Sequence, residues 1–283
     1  MNSPLALAQL RDGSDIPGKL GSVHSLEEGS DSMRLLRLRN FLVLACACAA
    51  LTASPAAAIT GGQPDGNAHP YVAFIGDPNP PRPFCSGVVI DSTTVVTAAH
   101  CFATPGQFVL VFPDGPAASA PVPGFWFPDP EFCAACSNGL VGFATHDIAI
   151  VKLMVPLQLT RYAQLPALGA SEQLGNQAPL TTVGYGVQEF VKAGPGEPQP
   201  VTNFMRTWAG SELGTAGTKL ADEFLKVKLN HGGFCLGDSG GPALMGDTVL
   251  AINSFLTNDG CNGVGYAYRL DTAEAQSFIA ANR

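Results

Sequence analysis

The sequence predicts an all-β protein, a barrel or sandwich of short strands finished by one C-terminal helix. Three observations carry this expectation. From Ile59 onward the chain offers ten short apolar or alternating runs, each bounded by Gly, Pro, Asn or Asp. No long amphipathic pattern alternates with these runs, which disfavours a parallel α/β sheet. The 32 glycines and 23 prolines are spread between the runs as turn punctuation instead of being gathered into linkers.

The elements follow in order. Arg34, Arg37 and Arg39 precede an apolar stretch over residues 41–51 and then Ala56-Ala57-Ala58, the pattern of a secretory signal with an A-x-A cleavage site. The stretch falls short of the roughly 20 apolar residues that span a bilayer, and Pro55 breaks it. A signal over about 33–58 is therefore expected, with translation starting at Met33 and residues 1–58 dispensable. Strand runs then occupy 71–75, 87–90, 94–97, 108–112 and 148–153. The second half carries 180–183, 224–229, 242–244, 249–252 and 265–270. Residues 155–169, with Pro156 and Pro166, have neither period and form the expected crossing between an N-terminal half, 59–160, and a C-terminal half, 161–283. A helix is expected over 271–282, capped by Asp271 or Thr272, with Ala275, Phe278 and Ile279 as its apolar stripe.

Composition bounds the function. With 46% hydrophobic and 13% charged residues, the 283-residue chain can bury substantial cores. The net charge is −8, and from Ile59 onward 10 Lys and Arg face 18 Asp and Glu. Nucleic acid is an unsuitable partner, because phosphate binding needs a basic stripe. Cys46 and Cys48 would leave with the signal. Cys85, Cys101, Cys133, Cys136, Cys235 and Cys261 remain, an even set that reads as disulfides in an oxidising compartment, with 15 pairings open. Cys133-Ala134-Ala135-Cys136 has C-x-x-C spacing. With no second ligand pair beyond His146 and no thioredoxin-like context, a local disulfide before Asp147 is preferred to zinc or redox chemistry, and no metal or cofactor is expected.

The chemistry centres on Ser239, within Gly237-Asp238-Ser239-Gly240-Gly241-Pro242. A nucleophilic serine needs an exposed hydroxyl on a tight turn and backbone N–H groups aimed at the developing oxyanion, here those of Gly237 and Ser239. The string also fits the G-x-S-x-G elbow of α/β-hydrolases. In that fold the catalytic histidine follows the serine, and no histidine lies beyond Ser239. The base must come from upstream. His69 and His231 read as surface histidines, and His146 as a bystander. His100 ends the run Val95-Val96-Thr97-Ala98-Ala99 and is pinned by Cys101, which suits an immobilised general base. Asp147, opening Ile148-Ala149-Ile150-Val151, can orient the imidazole.

The strings Thr97-Ala98-Ala99-His100-Cys101, Asp147-Ile148-Ala149 and Gly237 to Pro242 together resemble, in order, the three signatures of the chymotrypsin/trypsin family. Thr182-Val183-Gly184-Tyr185-Gly186 resembles that family's T-G-W-G strand. The resemblance implies two antiparallel six-stranded β-barrels with the His100–Asp147–Ser239 triad in the cleft between them, and hydrolysis of peptide bonds through an acyl-enzyme. It also implies disulfides Cys85–Cys101 and Cys235–Cys261. Ile59-Thr60-Gly61-Gly62 resembles the freed N-terminus whose ammonium pairs with Asp238, but Ala58 stands where the family has Arg or Lys. Signal peptidase itself is therefore expected to release Ile59. By family spacing, Gly233 lies at the base of the specificity pocket, so Arg or Lys specificity is not expected. Ser254, Phe255 and Leu256 form one wall and Gly265 the opposite one, which favours small or medium apolar side chains.

The expected protein is thus a secreted serine endopeptidase, extracellular or periplasmic. It is expected to act on polypeptides as a monomer, with no membrane anchor after cleavage. The rivals are an inactive protease-like binding protein and an esterase using the same triad.

Overall fold

The computed structural model describes residues 59–79, 84–136, 144–192, 194–214, 223–230, 232–258 and 260–283. The signal segment and His231 lie outside the described residues. No helix among those described is long and apolar enough to cross a membrane.

The first barrel is built from β2 (Val72–Gly76), β3 (Phe84–Asp91), β4 (Thr94–Thr97), β5 (Gln107–Phe112), β6 (Val122–Pro128) and β7 (Ala149–Leu153), closed in the order β2-β3-β4-β7-β6-β5. Every residue of β2 and β4 is buried, and β7 exposes only Lys152. That is why these strands read as continuous apolar runs. β6 was not anticipated, because Pro123, Gly124 and Pro128 break its run. Gly124 is there for space: a Cβ would lie 2.8 Å from a Val151 methyl and 2.9 Å from the Lys152 carbonyl.

The second barrel contains β8 (Pro179–Gly184), β11 (Thr207–Leu213), β12 (Phe224–Lys228), β13 (Pro242–Met245), β14 (Thr248–Leu256) and β15 (Val264–Arg269). It closes through the β8–β11 pairing into a second six-stranded antiparallel barrel. β11 also escaped the sequence reading. Its buried positions are Thr207, Ala209, Ser211 and Leu213, so hydroxyls and a methyl face the core where apolar alternation would be sought. Ser211 satisfies its hydroxyl against Thr182 Oγ1 at 3.3 Å. A two-residue strand, β1 (Gln63–Pro64), pairs with β11, and Thr60 bridges Gly233. Ile59 is fully buried in this barrel's core. β9 (Glu189–Val191) and β10 (Gln199–Val201) form a separate ribbon.

Residues 155–169 carry no regular strand or helix. Leu157 and Ala163 donate backbone bonds to Ser92 and Val89 on the first barrel's β3–β4 hairpin. Gln164 then donates to Asp247 and accepts from Val249 in the second barrel. The terminal helix α1 (Ala273–Asn282) starts where Thr272 Oγ1 accepts the Ala275 N–H at 3.2 Å. Asp271, the other candidate cap, is buried and instead accepts from Ser171 and Arg269. Ala275 and Ile279 are buried in a core shared with Phe102 and Trp126, and Phe278 packs on it.

Disulfides join Cys85 to Cys101, Cys133 to Cys136 and Cys235 to Cys261, with Cα separations of 6.1, 5.5 and 5.2 Å.

Candidate active site

His100 sits in a single 3-10 turn, Ala99–Cys101, immediately beyond β4. Both flanks are tied down. Cys101 is bridged to β3 through Cys85, and Thr97 Oγ1 donates to the Ser86 carbonyl at 2.8 Å. Asp147 enters from the other side, just ahead of β7, with no exposed surface. Ser239 lies on the turn before β13, between Gly237 (φ +91°) and Gly240 (φ +77°). Gly240 is required on two grounds. Its φ is left-handed, and a Cβ there would lie 2.1 Å from Thr97 Oγ1 and 2.5 Å from the Ser86 carbonyl oxygen. The Ser239 turn is thereby pressed directly onto β3 and β4, the latter just ahead of His100.

The three side chains form an unbroken chain of hydrogen bonds. His100 Nδ1 donates to Asp147 Oδ2 at 2.8 Å, and the His100 backbone N–H donates to Asp147 Oδ1 at 2.9 Å. With the proton on Nδ1, Nε2 is free to accept from Ser239 Oγ, 2.8 Å away. Ser254, a residue expected only in the pocket wall, donates its hydroxyl to Asp147 Oδ2. Burial disfavours the charge on Asp147, but the His100 charge, the bonds from His100 and Ser254 and the backbone amide outweigh it and hold the carboxyl below its usual value. Burial likewise lowers His100, while the Asp147 charge and hydrogen bond raise it, and the net shift is upward.

Gly237 and Ser239, on either side of Asp238, have amide groups that donate no backbone hydrogen bond among the described residues. Between them Asp238 points away from the cleft and is fully buried. Its carboxylate accepts from the amides of Cys235 and Gly186, both at 2.8 Å. Burial still prevails over these amide bonds and pushes Asp238 up to about 8. The Ile59–Asp238 ion pair is expected of a freed Ile59 ammonium, and this chain retains Ala58. The Ile59 nitrogen is a peptide N–H, without charge while Ala58 precedes it, and it donates to Thr207 Oγ1 at 2.5 Å.

The cleft beside the triad has a volume of about 310 Å³. Ser254, Phe255, Leu256, Leu236 and Phe234 line it. Gly233 and Gly265, expected at its base and opposite wall, each abut a neighbouring side chain. Gly265 is the seat of the Phe234 ring: a Cβ there would lie 2.3 Å from Phe234 Cζ. Gly233 faces Leu229, 2.4 Å from where its Cβ would be. Phe234, buried to 2% exposure, thus occupies the space over Gly265. Phe255 is fixed by stacking on Tyr266 at 4.9 Å and by an edge contact with Phe224 at 5.2 Å.

Comparison with known proteins agrees with the two-barrel fold. A sequence model of the trypsin family matches residues 58–277. Kallikrein 1-related peptidase b22 of Mus musculus is 25% identical over 181 residues, spanning 60% of this chain and 69% of its own length. Three solved structures share the fold. GrC superposes with a TM-score of 0.60 at 19% identity, covering 79% of this chain and 99% of its own. Human heparin binding protein gives 0.60 at 19%, covering 80% and 97%. HL collagenase gives 0.57 at 18%, covering 80% and 96%. With its two six-stranded barrels and a family match over most of its length, the chain belongs to the trypsin family of serine proteases.

Proposed function

We propose that the protein is an exported serine endopeptidase. The observation that carries this reading is the continuous Asp147–His100–Ser239 hydrogen-bond relay at 2.8 Å per step, opening on a cleft. Ser239 Oγ attacks the scissile carbonyl while His100 Nε2 takes its proton. The Gly237 and Ser239 amides receive the oxyanion. His100 then returns the proton to the leaving amine, and water repeats the sequence on the acyl-enzyme. Asp147 holds the tautomer and stabilises the imidazolium. Export is supported by the Arg-flanked apolar segment with its A-x-A site and by three disulfides.

The side chain preceding the cleaved bond is small and apolar in this reading. The Phe234 ring and Leu256 leave a shallow pocket, and the one carboxylate that lines the cleft among the described residues, Asp147, is already engaged by His100 and Ser254 and is not offered to Arg or Lys. Cleavage at Ala58–Ile59 creates the ammonium that partners Asp238, whose uncompensated burial calls for a cation.

Two other readings share the scaffold. A binding protein without turnover would keep the barrels, and an esterase would keep the triad. Labelling of the mature protein with a fluorophosphonate separates the first. Wild type is expected to label, while Ser239→Ala and His100→Ala are not. A folded wild type beginning at Ile59 that stays unlabelled would leave the binding protein as the better reading. Parallel rates on matched amide and ester substrates separate the second.

A further inference from the structure

We infer that His146, Glu131 and Glu274 form a zinc-binding site on the face of the molecule behind Asp147. The three come from separate segments: Glu131 after β6, His146 before β7, and Glu274 in the first turn of α1. Their ligand atoms all lie within 4.8 Å of one another. The segments are held independently of any ion. Cys133 and Thr145 exchange a pair of backbone bonds that brings Glu131 and His146 to the same end of a stapled loop. The His146 N–H is anchored on Glu223 Oε2 at 3.0 Å.

The second observation concerns His146 Nδ1 itself. This atom is wholly shielded from solvent and makes no hydrogen bond among the described residues. Yet Glu274 Oε1 is 2.7 Å away and Glu131 Oε2 is 3.8 Å away. At 2.7 Å only misalignment can deny a hydrogen bond, so Glu274 Oε1 flanks the nitrogen instead of meeting it along its axis, while Glu131 Oε2 stands beyond hydrogen-bond distance. Flanking is the arrangement of ligands that share an ion. Tetrahedral ligands about 2.0–2.1 Å from zinc stand roughly 3.3 Å from each other, and the two measured separations bracket that spacing. One imidazole with two carboxylates suits zinc over calcium or magnesium, which prefer all-oxygen sets. The carboxylates are 73% and 47% exposed, so water can complete the coordination.

An ion held here ties the β6–β7 loop to the start of α1. It does so one residue from the carboxylate that orients His100. None of the three ligand side chains is hydrogen-bonded to a triad side chain, so the site is distinct from the proposed catalytic chemistry and its test does not depend on turnover.

The test is calorimetric titration of Zn²⁺ into the mature, disulfide-intact protein, with melting measured alongside. One equivalent is expected to bind and to raise Tm as ligand binding requires. The Glu131→Gln/Glu274→Gln double variant, altered only at exposed side chains, is expected to melt like wild type without metal and to lose affinity at least tenfold. His146→Ala should do the same. Co²⁺ should give the visible bands of a four-coordinate nitrogen and oxygen site in wild type alone. Absence of binding, zinc affinity unchanged in the double variant, or preference for Ca²⁺ or Mg²⁺ would each overturn the assignment.

Discussion

At the scale of single residues, the account turns on how a buried carboxylate is kept charged. Asp147 is out of reach of water, and the groups that sustain its charge are the His100 ring, the His100 amide and the Ser254 hydroxyl. Its folded pKa is lowered, so its contribution to stability is present above the unfolded value of 3.8 and is lost as pH falls through the folded value. Ser254→Ala removes one donor from this carboxylate. It is expected to cost about 1–3 kcal/mol and to move the acid unfolding transition to higher pH, as chemical denaturation across a pH series would show. His100 shifts the other way, above its ordinary 6.5. As the proposed general base it must be neutral, so kcat/KM should rise with pH through a midpoint above 6.5. Asp147→Asn should lower kcat on the order of 10⁴-fold, by freeing the wrong tautomer.

At the scale of elements, the pocket and the helix show what was legible in the sequence and what was not. The strand ends presenting His100 and Asp147 could be read because Val95-Val96-Thr97 and Ile148-Ala149-Ile150 are buried runs with the functional residue at one end. The tight turn around Ser239 could be read because its glycines answer a local need for space and left-handed backbone. Phe234 could not, because what makes it a plug is the bare backbone of Gly265 on another strand, a contact with no sequence periodicity. Nor could β6 and β11, whose prolines and inward hydroxyls hide the apolar alternation. The Ser254 bond to Asp147 joins segments 107 positions apart and carries no local signal. Phe234→Ala is expected to deepen the pocket, raising kcat/KM for Phe relative to Ala before the scissile bond, at a stability cost of about 3–5 kcal/mol. An unchanged preference in a folded variant would contradict the plug. For the terminal helix, Thr272→Ala should cost about 1 kcal/mol, measurable as a lower urea midpoint.

At the scale of the whole molecule, the two barrels place the triad where neither could alone: His100 and Asp147 come from the first, Ser239 and Ser254 from the second. The beginning of the described chain is part of this joint, since Ile59 is buried in the second barrel's core and Thr60 bridges Gly233. With its folded value raised to about 8, Asp238 makes the chain that retains Ala58 progressively less stable as pH climbs from about 4 to about 8. Asp238→Asn should flatten that part of the profile. Release of Ile59 should do so as well, by supplying the missing positive charge. Unfolding free energies of the uncleaved and mature forms over this range would check both.

The central claim is that the His100–Asp147–Ser239 relay cleaves peptide bonds. The most direct measurement is mass-spectrometric analysis of a diverse peptide mixture incubated with mature protein whose terminus is verified as Ile59, beside Ser239→Ala. The account predicts cleavage by wild type after small apolar residues, with none by the variant. Intact peptides with folded, Ile59-started wild type, or equal cleavage by Ser239→Ala, would contradict it.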